Sequence, residues 1–216
     1  MTQQLLNSAL LTRVGSFLRV TSYTFRDTGH KGKVGVRDHV DVYRRDASGG
    51  LVHFVDSTLS SAERHRVLLV RQIRYSTTIQ AENGEPDLER DPMFVELPAG
   101  VVEPGELPME TFRREVLEET GVRVDAARVR HVASYYPSPG ACSEKVHLYH
   151  CVLPASAMPD VSVARGADEF ERVVAHTVTV EAFLKQVADG ELADSKALVA
   201  AEWLRRQSLD EIGQMT

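Results

Sequence analysis

The chain has 216 residues and sets 25 Lys and Arg against 31 Asp and Glu, a formal charge of -6 at pH 7. That length suits one sizeable domain, or a domain with a small extra lobe, and the acidic balance excludes a general electrostatic grip on nucleic acid or anionic membrane, which needs clustered cations. No run approaches the roughly 18 apolar residues that span a bilayer, and no compact apolar core precedes a small-residue cleavage site, so we expect a cytoplasmic protein.

In chain order, the first 26 residues contain no acid and carry Arg13, Arg19 and Arg26, a composition resembling an organelle transit peptide. "GSFLRVTSYTF" also reads as early strand, through Phe17, Val20, Tyr23 and Phe25. We take the strand reading, with organelle import as its alternative. Val34, Val36, Val40 and Val42 then predict a strand in "VGVRDHVDVYRR", and "DASGG" at 46–50 predicts a turn. "LVHFV" and "RVLLVRQIRY" read as further strands, and the polar stretch 76–92 as a long exposed loop.

"MFVELPAG" leads into a helix of about three turns, opened by Pro108 and Glu110 and closed by Gly121. Beyond it, "VRHVASYY", the turn "PSPG" and the strand "EKVHLYHCVL" precede a polar connection from 154 to about 171. "RVVAHTVTV" predicts a last strand, and "EAFLKQVADG" and "DSKALVAAEWLRRQ" predict two helices. Cys142 and Cys151 fit neither a disulfide framework nor a zinc site and are expected as reduced thiols. Tyr135, Tyr136, Phe25 and Phe94 offer stacking surfaces but are expected in the core, and His39, His147 and His150 are read as structural.

The helix before Gly121 carries the chemistry. At 100° per residue Met109, Phe112 and Val116 form an apolar stripe, and Glu115, Glu118 and Glu119 form a separate arc beside it. The like-charge spacing of Glu115 and Glu119 costs roughly 0.2–0.5 kcal/mol, with only Arg113 and Arg114 near to offset it. Such carboxylates suit a hard divalent cation, magnesium before manganese, and hence phosphoryl or pyrophosphoryl chemistry. The alternative is a merely solvated acidic face. Gly100 and Gly105 allow sharp turns that bring a carbonyl near Ala99 or Gly100 to the same place, and Glu106 and Arg114 are spaced to pair.

Taken whole, Gly100, Glu106, Arg114, Glu115, Val116, Glu118, Glu119, Gly121 and Val122 resemble the Nudix box at every defining position. The resemblance implies an α/β fold, an α/β/α sandwich around a mixed sheet, and hydrolysis of a nucleoside diphosphate linked to another moiety. It implies a β-rich segment over 1–55 that serves dimerisation or strand exchange, and a hydrolase domain over 56–216. "VLLVRQIRY", "ELPAG", "SPGACSE" and "GADEFERV" extend the likeness to the ADP-ribose and NDP-sugar pyrophosphatases.

By that resemblance Glu115 and Glu119 are the main metal ligands, with Glu118 and the Ala99 carbonyl assisting, while Arg114 and Glu106 brace the site. Arg74 resembles a diphosphate-binding arginine. Glu96, Pro139, Gly140 and Glu144 resemble substrate-binding positions, and Glu169, with Glu171 second, resembles the catalytic base. The implied reaction is magnesium-dependent cleavage of ADP-ribose to AMP and ribose 5-phosphate by a homodimer. Two alternatives stay open: a UDP-glucose or other NDP-sugar diphosphatase, and a Nudix module that binds nucleotides without catalysis.

Overall fold

Three long strands, β1 (Thr2–Val14), β2 (Leu18–Thr28) and β3 (Val34–Arg44), pair antiparallel in that order, with Val14 facing Leu18 and Thr28 facing Val34. They belong to a computed structural model that describes residues 2–14, 18–28, 34–79, 85, 87, 89–160, 164–165 and 173–213. The acid-poor N-terminus is therefore strand from Thr2 onward, and Phe17 lies outside the described residues. Register shifts between Leu5 and Asn7 and between Leu10 and Thr12 mark bulges in β1. Leu5, Leu6, Leu10, Leu11, Val34, Val36 and Val40 stay exposed on this sheet.

The chain divides into two units, Met1–Ala47 with Tyr135–Val146, and Ser48–Ser134 with His147–Thr216. In the first, the Ser138–Cys142 turn hydrogen-bonds to β3 through Val42 N–H to Ala141 O (2.8 Å) and Ser143 N–H to Val42 O (3.2 Å). Arg44 pairs with Glu144 at 3.3 Å.

The second unit holds an eight-stranded sheet. Its elements are β4 (Ala47–Val55), a single helical turn α1 (Ser61–Arg64), β5 (His65–Ile73), β6 (Met93–Glu96), β7 (Ala99–Val101), α2 (Pro108–Thr120), β8 (Val129–Tyr135), β9 (Val146–Pro154), β10 (Ala164–Arg165), β11 (Val173–Thr179), α3 (Val180–Ala188), α4 (Ser195–Leu204) and α5 (Leu209–Gly213). The order across the sheet is β10-β11-β5-β4-β9-β8, with β6 added beside β5 and β7 beside β4. β5 runs antiparallel to β4, β6 and β11. The α/β architecture and the β-rich segment ahead of it are as the sequence led us to expect.

Alternation along the strands supplies two apolar faces. On one, Phe112 and Val116 of α2, both fully buried, meet Val52, Phe54, Leu68, Cys151, Leu153 and Ala175. Burial pushes the Cys151 thiol up to about 12, leaving it chemically quiet. Side chains of opposite parity point to the other face, where α3 packs on β5, β11 and α4. His53, His65 and His150 lie there, with His53 Nε2 2.9 Å from His65 Nδ1 and the His150 ring 4.7 Å from Trp203 of α4. Among the described residues no helix is long and apolar enough to cross a membrane.

"DASGG" corrects one expectation. It opens strand β4 from Ala47 rather than forming a turn, because its glycines serve close approach. A Cβ on Gly50 would sit 2.3 Å from the Tyr149 carbonyl oxygen and 2.8 Å from the Phe112 ring, and one on Gly49 would sit 2.4 Å from the Ala99 Cβ. Gly50→Ala therefore has to displace backbone in the core, and equilibrium urea unfolding is expected to show a loss of about 3 kcal/mol or more.

The histidine cluster yields a second expectation. Burial first, then the neighbouring histidines, holds His53 down at about 3, and burial with Arg130 holds His150 at about 4. Both folded-state values lie below the ordinary 6.5, so the unfolded chain binds protons that the native one refuses. Their stabilising contribution is complete above pH 6.5 and is lost as pH falls toward 4, on the order of 3 kcal/mol for each. His150→Phe is expected to flatten that acid limb in thermal melts run from pH 7 to pH 4.

Candidate active site

Local chemistry fixes α2 before any tertiary contact. Pro108 occupies its first turn, Glu110 Oε2 accepts from the Leu107 N–H at 3.2 Å, and Gly121, at φ 76°, ends it with its N–H on the Leu117 carbonyl at 2.8 Å. With Phe112 and Val116 turned into the core, Glu115, Glu118 and Glu119 follow along the edge that faces the 99–106 loop.

Glu119 is only 5% exposed. Its Oε1 accepts from Gln72 Nε2 of β5 and its Oε2 from the Ala99 N–H of β7, each at 3.1 Å. Burial, then the charges of Glu115 and Glu96, push its carboxyl up to about 8, against weaker opposing pulls from the Ala99 N–H and Arg74. At about 8 its carboxyl holds its proton through neutral pH. Glu115 lies directly over Gly100, where a Cβ would fall 1.9 Å from its Oε1. Only glycine leaves that carboxylate its position.

Arg114 answers the charge problem posed by the arc. Its Nε and Nη2 donate to the two oxygens of Glu106 at 2.9 and 3.1 Å, its Nη1 donates to Glu115 at 2.7 Å and to Glu118 at 3.0 Å, and Nη2 reaches the Val101 carbonyl at 3.3 Å. The expected Glu106–Arg114 pair is present, and one guanidinium spans three carboxylates. Its bonds, with further donation from Thr111 and the Glu103 N–H, hold Glu106 down at about 2 despite partial burial.

A second charged group adjoins. Arg74 Nε donates to Glu96 Oε1 at 2.6 Å, and Lys196 Nζ donates to Glu96 Oε2 at 3.0 Å and to Asp194 Oδ1 at 2.9 Å. Burial alone would raise Glu96, but Lys196 and Arg74 outweigh it and keep the carboxylate ionised. Both groups share one site: Glu119 bonds Gln72 and Ala99, which lie two and three residues along the chain from Arg74 and Glu96.

Gly100, Glu106, Arg114, Glu115, Glu118 and Glu119 are thus gathered as the box spacing suggested, with Arg74, Glu96 and Ala99 beside them. Pro139, Gly140 and Glu144 belong to the other unit. Glu169 and Glu171 lie outside the described residues. Gln72 and Lys196 were missed in reading the sequence. Gln72 gave a signal, a lone amide in the apolar run "VLLVRQI", whereas Lys196 gave none.

The atoms that Glu115, Glu118, Glu119 and the Ala99 carbonyl could offer a cation are all oxygens, the choice of a hard ion. Among the described residues no three acid, histidine or cysteine side chains are gathered closely enough to enclose an ion by themselves. A hard divalent ion that takes one or two carboxylates and completes its shell from phosphate and water needs no larger group. The fit is strengthened by Glu119, whose carboxyl is pushed up by burial and by the charge of Glu115 beyond what Arg74 offsets, the situation in which a nearby cation would be favourable.

Comparison with known proteins matches residues 55–212 to the NUDIX domain. The chain is 31% identical over 143 residues to an ADP-ribose pyrophosphatase of Haemophilus influenzae, covering 64% of this chain and 60% of that protein. It is 26% identical over 189 residues to the ADP-ribose pyrophosphatase of Escherichia coli K12, covering 88% and 82%. A GDP-mannose pyrophosphatase of Cronobacter sakazakii is 29% identical over 196 residues, covering 90% of this chain and 91% of that one.

Proposed function

Since the chain belongs to the NUDIX family and is a Nudix hydrolase, we propose that it cleaves the diphosphate of a nucleoside diphosphate sugar in a magnesium-dependent reaction, with ADP-ribose as the leading substrate. The observation that carries this reading is the pairing of the buried acid Glu119 with Glu115 over Gly100, on the helix that Arg114 and Glu106 brace.

Glu115 and Glu119 would hold the ion, with Glu118 and the Ala99 carbonyl in support. When bound there, a divalent cation, magnesium or manganese, supplies charge neutralisation on the diphosphate and acidification of water. The chain's own groups do the rest. Arg114 gives up part of its hold on Glu115 and Glu118 while its two bonds to Glu106 keep α2 against the loop. Arg74, 40% exposed and fixed at Nε, presents its terminal nitrogens to the phosphates. Glu169, or Glu171, takes the proton from the attacking water. Glu96 lines the sugar side, and the substrate-binding roles of Pro139, Gly140 and Glu144 rest on the "SPG" and "SE" resemblance alone.

We also propose a homodimer formed through the N-terminal sheet, supported by the row of exposed leucines and valines on β1 and β3. A second substrate reading, GDP-mannose, is favoured by the GDP-mannose pyrophosphatase match, which spans about nine tenths of both chains. Purified protein offered ADP-ribose, GDP-mannose and UDP-glucose in parallel with magnesium separates these. AMP release at the highest kcat/KM is expected; GMP or UMP release at higher efficiency would transfer the assignment to that sugar.

A further inference from the structure

Lys196 occupies a place that ordinary energetics disfavour. Its side chain is 12% exposed, which costs a cation its hydration. It also stands in the first turn of α4, two residues after the N-cap Asp194, where the helix macrodipole opposes positive charge. Two buried carboxylates account for it. Asp194 Oδ1 caps α4 through the Lys196 N–H at 3.2 Å and also takes the Lys196 Nζ–H at 2.9 Å, while Glu96, 100 residues earlier on β6, takes a second at 3.0 Å. Glu96 spends its other oxygen on Arg74 Nε at 2.6 Å. Among the described residues, no partner engages the Arg74 terminal nitrogens.

We propose that Lys196 is a positioning residue for the diphosphate-binding arginine, acting through Glu96. Resting on the reading of the site given above, it works as a relay: Asp194 anchors Lys196, Lys196 fixes the rotamer and charge of Glu96, and Glu96 holds Arg74 by Nε, so that the planar guanidinium meets the substrate with both terminal nitrogens already aimed. Pre-orientation of this kind spares the ordering of a long side chain during binding. Lys196 itself needs no contact with the substrate.

Steady-state kinetics of four magnesium-loaded proteins test this: wild type, Lys196→Met, Glu96→Gln and the double variant. Lys196→Met is expected to raise KM for the nucleotide sugar about tenfold with kcat within about threefold, the pattern of lost ground-state binding. In the Glu96→Gln background the same change is expected to move KM less than about twofold, because the link is already cut. The double variant carries neither buried charge of the pair, so this comparison survives if Lys196→Met alone folds poorly. Lys196→Arg is expected to retain most of the wild-type KM. An unchanged KM in Lys196→Met, or an equal tenfold loss in both backgrounds, overturns the relay. A wild-type chain that turns over no nucleotide sugar would instead overturn the reading of the site. The relay is then judged without substrate, by solvent exchange of the Arg74 Nε–H in NMR spectra, assigned by its loss in Arg74→Lys. Faster exchange in Lys196→Met supports it, and unchanged exchange overturns it.

Discussion

Glu119→Gln is expected to lower kcat by about 10³-fold or more while leaving a folded protein. The amide is nearly isosteric with the acid that the native site already holds neutral, and Gln72 can turn its own amide so that its carbonyl accepts from the new side chain in place of its present donation at 3.1 Å. Stability should respond to pH in a direction that identifies this carboxyl. Its folded-state value, about 8, lies above the ordinary 4.5, so the native chain holds a proton that the unfolded chain has lost. The resulting stabilisation is complete below about pH 4.5 and is lost as pH rises through 8, a few kcal/mol in all. Thermal melts in EDTA from pH 6 to pH 9 should therefore show wild type falling relative to Glu119→Gln. Added magnesium should restore wild type most at the alkaline end, since cation and proton compete for one carboxylate. Parallel melts of the two proteins, with the variant still active, would remove Glu119 from the metal site.

Gly100→Ala should separate function from folding in the opposite way to Gly50→Ala. At Gly50 the obstacle is backbone, whereas at Gly100 it is the end of the flexible Glu115 side chain, 1.9 Å from the added carbon. The carboxylate swings aside and gives up its 2.7 Å bond from Arg114, at a cost to the fold of about 1 kcal/mol. On the proposed reading the site then loses a carboxylate from its place, and kcat/KM should drop about 10²-fold, the scale of an ångström misplacement. Gly105→Ala is the control. Its φ of 84° makes alanine strained, but open space surrounds it, so we expect about 1 kcal/mol of lost stability with activity retained. Equal losses of activity at both glycines would point to general loop damage instead.

The comparison of these glycines also shows how far the sequence could be read. Helix α2 was legible because its signals are local: Pro108 and Gly121 delimit it, and Phe112 and Val116 repeat on the core face. The strands at 65–73, 146–154 and 173–179 were legible through their apolar runs. "DASGG" misled because Gly49 and Gly50 answer to Ala99 and Tyr149, partners 50 and 99 residues away that no local pattern reveals. β1 was harder still, since a mixed run of leucine, serine, threonine and glutamine becomes strand only beside β2.

At the site, the carboxylate arc and the Glu106–Arg114 pair followed from spacing. The extension of Arg114 to Glu115 and Glu118 did not, because it depends on how α2 sits against the loop. Lys196 was illegible for the same reason: its partner Glu96 lies 100 residues away, and without Glu96 a lysine in the first turn of a helix is an ordinary surface residue.

On the proposed reading the Glu115 and Glu119 pair supports cation-dependent cleavage of a nucleotide-sugar diphosphate. The most direct measurement strips wild type and Glu119→Gln with EDTA, returns magnesium stepwise, and follows nucleoside monophosphate release from ADP-ribose, GDP-mannose and UDP-glucose. Release that is absent without the cation, saturates with magnesium in wild type and fails in Glu119→Gln is the predicted result. Turnover that ignores the cation, or equal turnover in the two proteins, would contradict it.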